Sequence, residues 1–182
     1  MTYLGQVFAY EISKTLAYEE VTVETPLGSR EINQIKDQIV LAPILRAGLS
    51  MHSGMLEFFD NAENAFVSAY RKHHKGGTFE INLQYITCPS LEGKILIIMD
   101  PMLATGASLE SVIEALAEYG TPKEIHFVSV IATTYAIDRI RRIFPDVKLW
   151  IGAEDEELTA KSYIVPGLGD AGDLAFGEKM QD

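Results

Sequence analysis

Asp100 follows five apolar residues, 95–99, and heads a short loop that closes on Thr105, Gly106, Ala107 and Ser108. Val112, Ile113, Leu116 and Ala117 then recur at helical spacing. A buried strand, a loop and a helix N-terminus in that order make an anion site, because N–H groups and hydroxyls wrap a phosphate and the helix dipole favours its charge. An acid at the carboxyl end of such a strand faces the crevice where open α/β sheets bind ligands. The plain alternative is a tight turn that needs glycine for its backbone angles.

Three other segments carry comparable chemistry. Arg46 directly follows the apolar run 39–45, which places a guanidinium at a strand end, suited to bidentate phosphate contacts or to a structural salt bridge. Tyr70 and Arg71 end a second apolar stretch, with Lys72, His73, His74 and Lys75 after them as a solvated basic loop. Adjacent histidines rarely converge on one ion and no acid or cysteine sits at ligand spacing, so no metal site by direct side-chain ligation is expected there. The glycine-rich segment 163–173 can bring backbone N–H and C=O groups against a flat base, with Ile164 packed on its face; Asp170 and Asp173 could instead only cap turns.

The elements that must position these residues follow from periodicity. A helix is expected over 4–18, a short strand over 21–23, a turn at 26–28, and a buried strand over 39–45 leading into a helix over 49–59. Strands are expected at 65–70, 78–86, 95–99, 125–131 and, as the last, 148–152; helical segments follow 95–99 and 125–131. This alternation predicts a single α/β domain over 1–182, with a doubly wound, mainly parallel sheet. The 72–86 segment breaks the alternation as a β-hairpin arm, with 73–77 at its tip, and 163–177 reads as an ordered C-terminal hood loop.

Composition bounds the rest. At 182 residues, 47% hydrophobic and 23% charged, the chain suits one soluble domain. No apolar run approaches the roughly 20 residues of a membrane span, and the first residues lack a signal-peptide layout. Cys88 is the sole cysteine, consistent with a cytoplasmic protein. A net charge of −11 opposes general binding to nucleic acid or anionic membranes. Positive charge is local instead, at 71–75 and in the cluster Arg139, Arg141 and Arg142; the acidic run 154–157 reads as a solvated turn.

Together the four segments resemble uracil phosphoribosyltransferases, members of the type I phosphoribosyltransferase fold family. The matching pieces are Pro-Ile-Leu-Arg-Ala-Gly-Leu at 43–49, Tyr-Arg at 70–71, Asp-Pro-Met-Leu-Ala-Thr-Gly-x-Ser at 100–108 and Tyr-Ile-Val-Pro-Gly-Leu-Gly-Asp-Ala-Gly-Asp at 163–173. Weaker resemblance runs from about residue 8 to the C-terminus. Most relatives with this fold carry two adjacent acids where this chain has Asp100-Pro101, and the tail motif belongs to the uracil-binding branch.

The resemblance implies that uracil and 5-phospho-α-D-ribose 1-diphosphate give UMP and diphosphate with Mg²⁺. By position, the ribosyl donor falls to Arg46, Arg71, Asp100, Pro101, Met102, Leu103, Ala104, Thr105, Gly106, Ala107, Ser108 and Asp170. Uracil falls to Ile164, Gly169, Asp170 and Ala171, and the catalytic group is Arg71, Asp100 and Asp170. It also implies a homodimer or higher homo-oligomer, paired through the 72–86 arm, with GTP as an effector. Relatives usually have a further helical segment ahead of Tyr3 and a second glycine where this chain has Ala107, whose methyl would crowd a phosphate if the position needed a positive φ. The rival expectation is a regulatory homologue that binds nucleotide without turnover.

Overall fold

The computed structural model describes residues 1–73, 79–160 and 162–178, and the side chains of 70–83 lie outside what is described. The 73–77 tip therefore falls largely outside the described residues, as do the side chains of Tyr70, Arg71, Lys72, His73, His74 and Lys75.

The chain opens with α1 (Thr2–Ser13), then β1 (Tyr18–Thr25) and β2 (Gly28–Ile35), which pair antiparallel with Thr25 opposite Gly28. Their turn is fixed by Thr25 Oγ1, which donates to Gly28 O at 2.8 Å and accepts from Leu27 N at 3.3 Å. Both strands are solvent-exposed along almost their whole length. That explains why β2 is invisible to periodicity: with neither face buried, nothing forces an alternation of apolar and polar residues.

The central sheet comprises β3 (Ile39–Leu45), β5 (Phe66–His73), β6 (Phe79–Thr87), β7 (Ile95–Met99), β9 (Glu124–Thr133) and β10 (Lys148–Asp155) in the order β10-β9-β7-β3-β5-β6. Two short strands lengthen it: β4 (Glu63–Asn64) beside β3 and β8 (Met102–Leu103) beside β9. Every pair is parallel except β5–β6 at the edge, which is antiparallel. The helices are α2 (Leu49–Phe58), α3 (Ala107–Leu116), α4 (Thr134–Ile143) and α5 (Ala171–Phe176).

The two middle strands, β3 and β7, are apolar at every position because both faces are covered. Ile39, Leu41, Ile95, Ile97 and Met99 pack on one face with Ala9 and Ile12 of α1 and Met51 and Met55 of α2. Val40, Ala42, Ile44, Leu96 and Ile98 point the other way, against Leu109 and Val112 of α3 and Ile137 and Ile140 of α4. The period of two thus divides one run between two cores. Each fully buried aliphatic contributes about 1.5–3 kcal/mol relative to exposure.

The structure revises the expected C-terminal part. Lys148–Asp155 is not the last strand: β11 (Glu157–Leu158) and β12 (Ile164–Val165) follow and pair antiparallel. The tail is not only loop, since it holds β12 and the short helix α5. The acidic run 154–157 is not a simple solvated turn either. It spans the end of β10 and the start of β11, and Asp155 Oδ2 accepts from Gly167 N at 3.1 Å.

Candidate active site

A parallel sheet delivers the carboxyl ends of its strands to one edge, where the loops after β3, β7 and β9 begin. Pro43 stands opposite Met99 in the β3–β7 register, so the Arg46 loop and Asp100 leave adjacent strands. A close approach fixes that meeting. A Cβ added to Gly48 would lie 2.5 Å from Met99 O and 2.9 Å from Ile44 N and O, so only glycine fits between the two strand ends.

The 100–108 loop is built onto β9. Pro101 O accepts from Val130 N at 3.1 Å and from Ile131 N at 3.0 Å, while Met102 and Leu103 pair with Ile131 and Ala132. Asp100 is half-buried; its Oδ1 lies 3.4 Å from Met102 N. Gly106 takes φ +79° and immediately precedes α3, where no side chain caps the helix. The N-cap residue thus supplies no side chain to the first turn of α3, and the one side-chain contact there is long, from Ala107 N to Thr105 Oγ1 at 3.4 Å, which suits an anion site. The positive φ falls on Gly106 and not on Ala107, which starts the helix. The only described non-glycine residue with positive φ is Ser162, so the methyl of Ala107 meets no such strain.

Sequence reasoning missed the residue that ties this loop to α4. Thr133 is fully buried; its Oγ1 donates to Ala104 O at 2.7 Å and accepts from Ala136 N at 3.1 Å as the N-cap of α4. A threonine between an apolar run and a helical pattern is an N-cap signature, and would have marked it.

The tail reaches the same edge. Gly167 is held by Asp155, and a Cβ on Gly172 would lie 3.9 Å from Ala47 N. Arg46 Nη2 donates to Asp173 Oδ1 at 3.0 Å and to Gly177 O at 3.1 Å. Arg46 therefore makes the salt bridge that was its structural alternative, and keeps 41% side-chain exposure for further contacts. Asp173 is more than a turn cap, whereas Asp170 does cap α5, accepting from Asp173 N at 2.9 Å.

The uracil candidates divide by exposure. Gly169 is exposed at φ +81° with nothing within 4 Å of an added Cβ, so its backbone borders open space. Ile164 and Ala171 are buried instead, with 3% and 6% exposure. Arg71 lies in β5 opposite Ile81, and its side chain is outside the described residues. Among the described residues no group of three or more His, Cys, Asp or Glu could hold a metal ion.

This sheet order and loop placement define the fold shared by phosphoribosyltransferases. A hypoxanthine-guanine phosphoribosyltransferase from Bacillus anthracis superposes with a TM-score of 0.55 over 90% of this chain and 83% of that one at 13% identity, a likeness of fold alone. The AQ2163 protein of Aquifex aeolicus superposes with a TM-score of 0.89 at 38% identity, covering 96% of this chain and 82% of its own. A sequence model of the family described as uracil phosphoribosyltransferase matches residues 1–178. A Porphyromonas gingivalis protein named uracil phosphoribosyltransferase is 53% identical over 178 residues, 97% of this chain and 82% of its own length. One of the same name from Pyrococcus furiosus is 42% identical over 181 residues, 98% of this chain and 77% of its own. The chain belongs to the uracil phosphoribosyltransferase family.

Proposed function

We propose that the protein catalyses transfer of the 5-phosphoribosyl group of 5-phospho-α-D-ribose 1-diphosphate to uracil, giving UMP and diphosphate, a step of pyrimidine salvage. The observation that carries this reading is the meeting at one sheet edge of a helix N-terminus whose N-cap is a glycine, the Asp100 carboxylate, the Arg46 loop and the glycine-rich tail. In this reading residues 100–108 hold the ribose 5-phosphate and ribose hydroxyls. Arg46 and Arg71 face the diphosphate, and Gly169, Asp170 and Ala171 with Ile164 frame uracil.

The chemistry suits these groups. The bond from the anomeric carbon to the diphosphate oxygen breaks, the bond to a uracil ring nitrogen forms, and that nitrogen loses its proton. Positive charge grows on the anomeric carbon, where carboxylates such as those of Asp100 and Asp170 stabilise it, while guanidinium groups stabilise the leaving oxygens. The rest is positioning of uracil behind the breaking bond. Mg²⁺ fits this donor set as an ion carried by the diphosphate and its waters, in keeping with its ordinary coordination by substrate phosphates; when bound it would offset the charge of the leaving group. Association into a homodimer or higher oligomer and a cytoplasmic location belong to the same reading. No helix among the described residues is long and apolar enough to cross a membrane.

The test is formation of UMP from labelled uracil, the ribosyl donor and Mg²⁺, with hypoxanthine and orotate as competing bases and with GTP added in a parallel series. Turnover of hypoxanthine or orotate in preference to uracil, or donor binding without UMP, would reject the proposal.

A further inference from the structure

The basic cluster of α4 is not uniform. Arg141 and Arg142 are exposed, but Arg139 is half-buried and turns toward α3. Its Nη2 donates to Glu110 Oε2 at 2.5 Å, and its Cδ lies 3.6 Å from where a Cβ on Gly106 would be. Arg139 Nε is buried and finds no hydrogen-bond partner among the described residues. The bond to Glu110, and after it one to Tyr135, raises the pKa of the guanidinium above its already high ordinary value.

Glu110 lies in the first turn of α3, and its N–H closes that turn on Gly106 O at 3.0 Å. A carboxylate there is favoured by the helix dipole in the empty protein, but it competes with any anion that approaches the same N–H groups. An unneutralised Glu110 would repel the phosphate that the loop is read to bind. Arg139 removes that repulsion from behind, while its stem and Ile140, whose Cδ1 lies 3.1 Å from the added Cβ position, back the Gly106 turn.

We infer that Arg139 is a positioning residue of the phosphate cradle: it neutralises Glu110 in the first turn of α3 and so leaves the helix N-terminus positive toward the donor's 5-phosphate. This rests on the assignment of residues 100–108 to that phosphate. The probes are ribose 5-phosphate and ribose, titrated calorimetrically against the full chain. Arg139→Met should weaken ribose 5-phosphate binding about tenfold, equivalent to about 1.4 kcal/mol. The double variant R139M/E110Q should return to within about twofold of the unmodified protein, because the repelling charge has gone. Glu110→Gln alone, which leaves every apolar contact in place, should tighten binding. In turnover, R139M should raise KM for the ribosyl donor and leave KM for uracil unchanged.

A double variant as weak as R139M, or E110Q binding no tighter than the unmodified protein, overturns the inference and makes Arg139 a packing residue. A protein that prefers ribose to ribose 5-phosphate before any substitution overturns instead the phosphate assignment beneath it.

Discussion

Gly106→Ala is the perturbation that most directly separates backbone conformation from packing at the cradle, because Gly93 supplies a matched control. Both glycines have positive φ, +79° and +70°. An alanine in the left-handed region costs about 1–2 kcal/mol, and the loss of unfolded-state freedom returns about 0.4–1 kcal/mol. At Gly93 a Cβ meets nothing within 4 Å, so Gly93→Ala should destabilise by only about 0.5–1 kcal/mol. At Gly106 the same Cβ would sit 3.1 Å from Ile140 Cδ1. That is inside the ~3.5–4.0 Å optimum, and overpacking adds about 1–3 kcal/mol. The expected total for Gly106→Ala is about 1.5–4 kcal/mol, at roughly 2–4 °C of melting temperature per kcal/mol for a chain of this size. The assay is urea unfolding of both variants, paired with ribose 5-phosphate titration. Gly93→Ala should bind normally; Gly106→Ala should bind at least tenfold more weakly, since the turn that aims the N–H groups has moved. Equal stability losses in the two variants, or normal binding by Gly106→Ala, would refute this reasoning.

Thr133→Val should cost about 2–4 kcal/mol in unfolding free energy, from the lost α4 cap and the lost donor to Ala104 O, and Thr133→Ser should recover most of it. The Arg46–Asp173 pair is partly exposed, so Asp173→Asn should change stability by no more than about 1 kcal/mol, whereas Arg46→Met should cut turnover at least a hundredfold; comparable small effects on turnover would make Arg46 a strut alone. Burial lowers the pKa of His126 more than its bond to Glu124 raises it, and Trp150 Nε1–H donates to His126 Nδ1 at 3.1 Å, which requires a neutral ring. The unfolded chain then binds more protons than the folded one as pH drops below about 6.5, so stability is full above that value and declines until the depressed folded pKa is passed. His126→Gln should flatten that slope in urea midpoints measured between pH 7 and pH 5. Gly169→Ala should cost about 1 kcal/mol in stability, since only its φ of +81° opposes the change, yet weaken UMP binding far more than ribose 5-phosphate binding; equal weakening would move uracil away from the tail.

What the sequence revealed tracks what the core enforces. The strand over 39–45 and that over 95–99 were legible to the residue, because burial on both faces demands unbroken apolar runs. The loop that follows 95–99 was legible because a glycine and a helix start must coincide there. The hairpin of β1 and β2 was only half visible, as a short strand and a turn, since solvent on both faces leaves composition free. The division of labour between Asp170 and Asp173 was hidden for a different reason. Both acids suit a turn, and only the path of the chain decides which one meets Arg46. Thr133 carried a readable signal, but its second bond, to Ala104, depends on a loop 29 positions away and has no trace in local pattern.

The bridge from Arg46 to Asp173 spans 127 positions of the chain. Closing so wide a loop is costly in chain entropy compared with the turn of two residues that joins β1 to β2. During synthesis the β3 strand and its arginine emerge long before the tail that completes their surroundings. The central sheet is encoded in full by residue 155, so a chain cut before residue 163 keeps every strand of that sheet and loses the partner that Arg46 meets in the tail.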